Sequence, residues 1–215
     1  IRGTVQNINP QKPINYQFGF DVNVESTSGG RIAGDTTQNM QDYAAFVSFE
    51  ARFKQWAIRP GLRGSYNSVF DGWVTPSINL KYTISEQLNV SAAYGNGYRA
   101  PSLRELYMEF IDASHTVIGN EDLTPEYSNH FSVNLNYEMK AWQGSLATKS
   151  QVFYNDIKDL ITFQYDPNDP TFAKYFNLAR LKTIGFNLSE AYQGKSFNVE
   201  VGAGVIGRNE EDPQV

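Results

Sequence analysis

An all-β fold, an antiparallel transmembrane β-barrel of which this chain forms a part, is predicted by three features of the 215-residue sequence. Apolar and polar residues alternate over segments of about ten residues, close to what a tilted strand needs to cross a bilayer. Strands of soluble domains centre on about five or six, so a soluble antiparallel sandwich, which also alternates, fits less well. The connections between segments are short and long by turns. Finally, the chain is 14% aromatic and 19% charged, yet its mean hydropathy is -0.46. A sheet averages in this way when every second residue faces hydrocarbon and the others face a wet lumen.

The first strand carries Ile14, Tyr16, Phe18, Phe20, Val22 and Val24 on one parity, and the second Tyr43, Ala45, Val47, Phe49, Ala51 and Phe53. A less regular segment runs from Ile58 to Ser68. From Trp73 to Ile84, Val74, Pro76, Ile78, Leu80 and Tyr82 oppose Thr75, Ser77, Asn79 and Lys81. Leu88, Val90, Ala92 and Tyr94 follow, and then Tyr127 to Met139, in which Asn129 alone breaks the apolar parity. Leu146 to Asp156, Tyr175 to Tyr192 and Phe197 to Val205 complete a set of about nine or ten strands. Lys54 to Trp56, Ser85 to Gln87, Lys140 to Gln143 and Gln193 to Ser196 read as tight turns. Ser26 to Asp42, Arg99 to Glu126 and Lys158 to Lys174 read as long loops, with Val69 to Gly72 the short exception on that side. Short turns on one rim and long loops on the other are the barrel rule. Rings near the strand ends supply two girdles: Phe53, Trp56, Tyr82, Tyr137, Trp142 and Tyr192 at one level, Tyr43, Tyr66, Phe70, Trp73 and Tyr154 at the other.

The remaining composition excludes other classes. No run approaches the roughly eighteen apolar residues of a spanning helix, and the first residues do not resemble a signal peptide. The absence of cysteine rules out a disulfide scaffold or thiolate metal site. A formal charge of -5 argues against nucleic acid as a partner, because phosphate binding needs a basic face.

The long connection from Asn96 to Ser128, NGYRAPSLRELYMEFIDASHTVIGNEDLTPEYS, is where function is expected, since long loops on a rigid wall carry binding residues. Its acids Glu105, Glu109, Asp112, Glu121 and Asp122 match no calcium loop and read as turns and caps, with Ser102 and Glu105 a capping pair on one helical turn. Thr124 and Pro125 lead into the next strand. Ser128, His130 and Asp112 carry no nucleophile motif of an outer-membrane enzyme.

GYRAP at Gly97 to Pro101, ELY at Glu105 to Tyr107 and GNEDLTPE at Gly119 to Glu126 resemble the consecutive boxes of TonB-dependent outer-membrane receptors, with Tyr98 in place of Phe and Glu121 in place of Pro. VFYNDIKDLI at Val152 to Ile161 and YFNLARLKTIGFNLS at Tyr175 to Ser189 resemble two later boxes of the same family. The resemblance implies a barrel of about 22 strands around an N-terminal plug, in the outer membrane of a Gram-negative bacterium. It implies uptake of haem, a ferric siderophore or a similar scarce nutrient, driven by the TonB complex through the plug. A passive porin is the alternative, and an enzyme a more distant one. Residues 1–215 read as a segment of the barrel domain, with the plug and the closing strand outside it; the polar stretch Glu210 to Val215 stands where an outer connection begins. Haem or a ferric siderophore is the cargo considered, no resident cofactor is expected, and outer-membrane lipid and a surface lipoprotein are the further partners considered. In haem receptors of this family a histidine between the two boxes is an axial iron ligand, which points to His115. His130, on the lumen parity, offers a second polar contact. Tyr98, Arg99 and Arg104 are the other ligand-binding candidates, the arginines suiting a siderophore anion or haem propionate, or internal salt bridges to the nearby acids.

Overall fold

Side chains alternate across a strand, so a sheet with one oily parity must turn that side somewhere, and here it turns outward. The computed structural model describes residues 1–9, 12–166 and 168–211. The strands are β1 (Arg2–Asn7), β2 (Ile14–Thr27), β3 (Gln38–Phe53), β4 (Trp56–Asn67), β5 (Asp71–Thr83) and β6 (Leu88–Arg99). A helical turn, α1 (Leu103–Tyr107), and two short strands, β7 (Glu109–Ile111) and β8 (Thr116–Ile118), follow in the long connection. The wall resumes with β9 (Glu126–Ala141), β10 (Gly144–Asp166), β11 (Asp169–Gln193) and β12 (Asn198–Glu211). All belong to one 12-stranded sheet in the order β1, β2, β3, β4, β5, β6, β9, β10, β11, with β12 and β8 both on the far side of β11 and β7 beyond β8. Neighbouring wall strands are antiparallel throughout.

The expected oily parity is the exposed one: Phe18, Phe49, Leu62, Val74, Phe131, Val133, Val152, Ile184 and Val201 all present their side chains to the surroundings. A water-soluble sandwich would bury this side, since apolar area in water costs about 25 cal/mol per Å². The opposite side instead carries ion pairs: Asp21 between Arg2 and Arg63, and Glu50 between Arg52 and Arg59. Among the described residues the buried hydrophobic side chains are Met40, Leu103, Leu106, Leu123, Ile161, Ala173 and Leu178, all at the long-loop end.

Tight turns form where expected, with Lys54 and Trp142 at positive φ (51° each). The short turn on the long-loop side is built by Asn67, whose buried carbonyl oxygen accepts from the amides of Val69 (2.8 Å) and Phe70 (3.0 Å) while its amide donates to Asp42 (2.7 Å). Pro76 has no N–H to donate, and the ladder between β5 and β6 stops at Ser77 opposite Gly95. Above that point the strands are joined by side chains: Trp73 Nε1 donates to Asn96 (3.2 Å), and the Tyr98 hydroxyl donates to the Phe70 carbonyl (3.2 Å).

Three expectations change. The stretch from Lys158 to Lys174 is not a loop: β10 and β11 run on as a paired hairpin to Asp166 and Asp169. Ile161, Phe163 and Tyr165 keep alternating there, and a hairpin rising above the bilayer needs no lipid-facing parity to stay paired. Strand β1 was not expected; its outward positions include Gly3, and the Phe20 ring of β2 lies over that glycine and supplies apolar surface there. Strands β7 and β8 were likewise read as loop. The last four residues of the polar terminal stretch, 212–215, lie outside the described residues.

Candidate functional site

The connection from β6 to β9 is fixed at its base by charge. Ser102 caps α1 by accepting from the Glu105 amide, and Glu105 reaches back to the Ser102 amide (2.8 Å) and hydroxyl (2.9 Å). Arg99, the last residue of β6, donates to Glu105 (2.9 Å) and, through a two-pronged fork, to Glu126 at the start of β9 (2.9 and 2.6 Å). The second oxygen of that fork also accepts the Ile161 amide of β10 (2.7 Å). Burial alone raises the Glu105 pKa, but the hydrogen bonds from Arg99 and Ser102 outweigh it and hold the carboxyl below its ordinary value.

Above this base the loop has its own small core. Leu106, Leu123 and Ile161 are buried together, with Phe70, Tyr107 and Tyr175 packed around them. Gly119 is where the two halves of the loop touch. Its amide donates to the Met108 carbonyl (2.7 Å), and a Cβ there would stand 2.5 Å from the Leu106 carbonyl oxygen and 2.8 Å from the Met108 nitrogen. Asn120 donates from its backbone to the Glu105 carbonyl (2.9 Å) and from its side chain to the Tyr175 carbonyl (3.0 Å). Asn177 of β11 both accepts from and donates to Thr124 (2.9 Å each) and donates to the Asp159 carbonyl (2.6 Å).

The loop then reaches beyond its neighbours. It leaves β6, passes the positions of β9 and β10, and pairs β8 in parallel with β11 through Thr116 to Ile118 opposite Phe172 to Lys174. Strand β7 pairs with β8. The loop between β2 and β3 joins this assembly: Ile32 bridges Met108, the Glu109 amide donates to the Arg31 carbonyl (2.8 Å), and the Arg31 guanidinium lies 5.0 Å from the centre of the Phe110 ring. At the tip between β7 and β8, the Asp112 carboxylate accepts the amides of Ser114 and His115 (2.7 Å each). Those amides, Ser114 first, lower the Asp112 pKa.

His115 is therefore an exposed imidazole on a tied hairpin tip. Its Nδ1 stands 3.7 Å from Asp112, and its Nε2 has no hydrogen-bond partner among the described residues. Tyr98 sits where β6 parts from β5, its ring 5.7 Å from that of Tyr127, closing one end of a recess of about 260 Å³ with Asp21, Asp42 and Arg63. Arg99 is consumed by its two glutamates. Arg104 is exposed, donates to Met108 Sδ (3.4 Å) and has no carboxylate partner among the described residues, which makes it the better placed arginine for an anionic ligand.

His130 lies on the inward face of β9, 2.5 Å from Asn155 Oδ1, in the row that continues to Thr183 of β11. The row beside His115 meets β11 at Phe172, eleven residues away, or about 36 Å of strand. The two histidines do not meet at one ligand atom. Nor do Ser128, His130 and Asp112 assemble, since Asp112 is spent on its own turn. Among the described residues no group of three or more His, Asp or Glu is arranged to hold a metal ion; of the acids, Glu105 caps α1 and Asp112 accepts the amides of its own turn. Tyr175 and Asn177 open one of the later boxes but were assigned no site role from the sequence, and Arg31 lies in none of the motifs; the loop partners of all three are tens of residues away.

A family model described as "TonB dependent receptor-like, beta-barrel" matches residues 3–213. The heme/hemopexin utilization protein C of Haemophilus influenzae is 27% identical over 142 residues, covering 57% of this chain and 20% of that protein. An iron-regulated outer membrane virulence protein of Vibrio cholerae is 26% identical over 147 residues, covering 67% of this chain and 22% of that protein. Among solved structures, the Serratia marcescens hemophore receptor HasR, determined with its hemophore HasA and heme, superposes with a TM-score of 0.78 at 14% identity over 96% of this chain and 40% of that one. The chain thus spans about a fifth of the length of these curated relatives.

Proposed function

The chain belongs to the TonB-dependent receptor β-barrel family, and from that premise we propose that it is a section of the wall and outer mouth of an outer-membrane receptor that takes up an iron-bearing nutrient, with haem as the cargo. The relatives named for haem and iron use support the iron-bearing class. The observation that carries haem is His115: an imidazole whose Nε2 is open, on a hairpin tip fixed from below by the Arg99 fork, the Leu106 core and pairing with β11. Haem iron is taken by a neutral ring nitrogen, and the Asp112 carboxylate on the Nδ1 side suits the ring to present Nε2. Arg104 is the cation nearest in sequence to meet a propionate. Energy from the TonB complex and the plug that receives it belong to the same reading, as does residence in the outer membrane of a Gram-negative cell.

A loop pinned across three strand positions is a poor fit to a freely open pore, and the family is one of receptors, with a relative named for heme utilization, so receptor is preferred to porin or enzyme. The test is titration of the full-length protein with haemin, following the Soret band. The expected result is a shifted band that His115→Ala abolishes and His130→Ala leaves in place. An unchanged band in the His115→Ala protein removes the axial-ligand role, and no shift in the unaltered protein moves the cargo to a ferric siderophore.

A further inference from the structure

The outward face of the wall is uncharged along β2 to β6 and β9, from Ile14 and Phe53 at one rim to Val24, Tyr66 and Asn96 at the other. One sector departs from this. Two rows above Val152 and Phe186, the outward positions of β10, β11 and β12 become Asp156, Lys182 and Asn209, and in the next row Lys158, Arg180 and Glu211. Apart from Glu190 near the opposite rim, which accepts the Thr148 hydroxyl (2.8 Å), and Asp166 and Lys174 far up the protruding hairpin, these are the charges on the outward parity of the described wall strands. Charge facing hydrocarbon is costly at mid-bilayer and nearly free at the interface, so a confined cluster marks the headgroup layer. Ring placement agrees: Lys158 stands opposite Tyr127, whose ring meets Trp73 at 4.7 Å.

From this placement we propose that the outward patch of Lys158, Arg180 and Lys182 is a binding site for the phosphate of an outer-leaflet lipid headgroup. Three cations face two acids. Arg180 is held in position by a fork to Asp156 (2.6 and 2.5 Å) that leaves its remaining N–H groups to donate elsewhere. Lys182 Nζ reaches Glu211 (2.6 Å), at the solvent end of the patch. Lys158 is exposed and has no ion-pair partner among the described residues. A bidentate arginine flanked by two ammonium groups matches the tetrahedral oxygens of a phosphate monoester. A cargo in the lumen cannot reach this face; a lipid lying against β10 to β12 reaches it directly. The inference rests on the reading of the protein as a bilayer-spanning barrel.

The experiment uses the full-length protein in detergent micelles doped with phosphatidic acid or with diacylglycerol, with bound lipid counted by native mass spectrometry. The unaltered protein retains phosphatidic acid in preference to diacylglycerol. The Lys158→Gln, Lys182→Gln double variant retains it on the order of thirtyfold less, given roughly one cation's worth of headgroup attraction lost at each position. Lys149→Gln, on the inward face of the same strand, retains it as the unaltered protein does. Equal retention by the double variant, an equal loss in Lys149→Gln, or displacement of the lipid by inorganic phosphate overturns the proposal. Insertion into phosphatidylcholine vesicles is measured alongside: failure of the unaltered protein to insert overturns the barrel reading beneath it, whereas normal insertion with no lipid preference overturns the site alone.

Discussion

Replacing Glu126 with alanine removes the hinge pin of the long loop. Two hydrogen bonds from Arg99 and one from the Ile161 amide disappear together. A buried bond to a charged group contributes about 1.5–3 kcal/mol, but the Arg99 side chain is 43% exposed, so water replaces much of what it loses. Ile161 is buried, and its amide is left without an acceptor at a cost of about 1–3 kcal/mol. Together these destabilise the closed loop by about 3 kcal/mol, which raises its open population about a hundredfold. Hydrogen exchange of the Leu106, Gly119 and Asn120 amides reads this directly, because each donates inside the loop. Their exchange should accelerate about a hundredfold in Glu126→Ala while amides in β2 and β3 stay protected. Glu126→Gln keeps the acceptor for Ile161 and should accelerate exchange only about tenfold, for a loss near 1.4 kcal/mol. Unchanged exchange in both variants would refute the claim that this carboxylate holds the loop, and acceleration throughout the wall would show that the loop and wall open as one unit.

Gly119→Ala forces a methyl to within 2.5 Å of the Leu106 carbonyl oxygen, so the two halves of the loop must part; overpacking of this kind costs about 1–3 kcal/mol, and limited proteolysis should cut between Met108 and Asn120 in the variant but not in the parent protein. Acid should loosen the same loop. The folded pKa of Glu105 lies below its unfolded value of about 4.3, so the carboxylate's contribution is complete above that pH and is lost as pH falls through the lowered folded value. Exchange of the Asn120 amide, corrected for its intrinsic rate, should therefore be flat down to about pH 5 and rise below it, and a rise between pH 6 and 8 would contradict the assignment.

The wall was legible because its physics is local. Parity at Phe131, Val133 and Leu135 records which side meets lipid, and nothing further along the chain is needed to decide it. The capping pair of Ser102 and Glu105 was legible for the same reason, since its partners are three residues apart. Ile161, Phe163 and Tyr165 alternate with Thr162 and Gln164, but Lys158 to Lys174 reads as a loop because Pro167 and Pro170 with the acids Asp166 and Asp169 dominate that stretch. Strand β8 had no such signal: it pairs with residues more than fifty positions away, on a strand whose outer half was not expected. Within the candidate site, the residue types in the boxes pointed to the loop, but their allocation is tertiary. Whether Arg99 or Arg104 is spent on internal acids depends on Glu126 arriving beside β6 from the far end of the loop, and the separation of His115 from His130 depends on the hairpin rising as far as it does.

The account depends most on which face of the sheet meets lipid, and site-directed spin labelling reads that face residue by residue. Residues 1–215 have no cysteine, so single labels at Val133→Cys, Asn134→Cys, Leu135→Cys and Asn136→Cys along β9, in the full-length protein with any cysteine elsewhere replaced by serine and placed in bilayers, report four successive positions. Positions 133 and 135 should be accessible to oxygen and closed to a water-soluble nickel complex, with positions 134 and 136 showing the reverse. Equal access at all four, or the opposite phase, would contradict it.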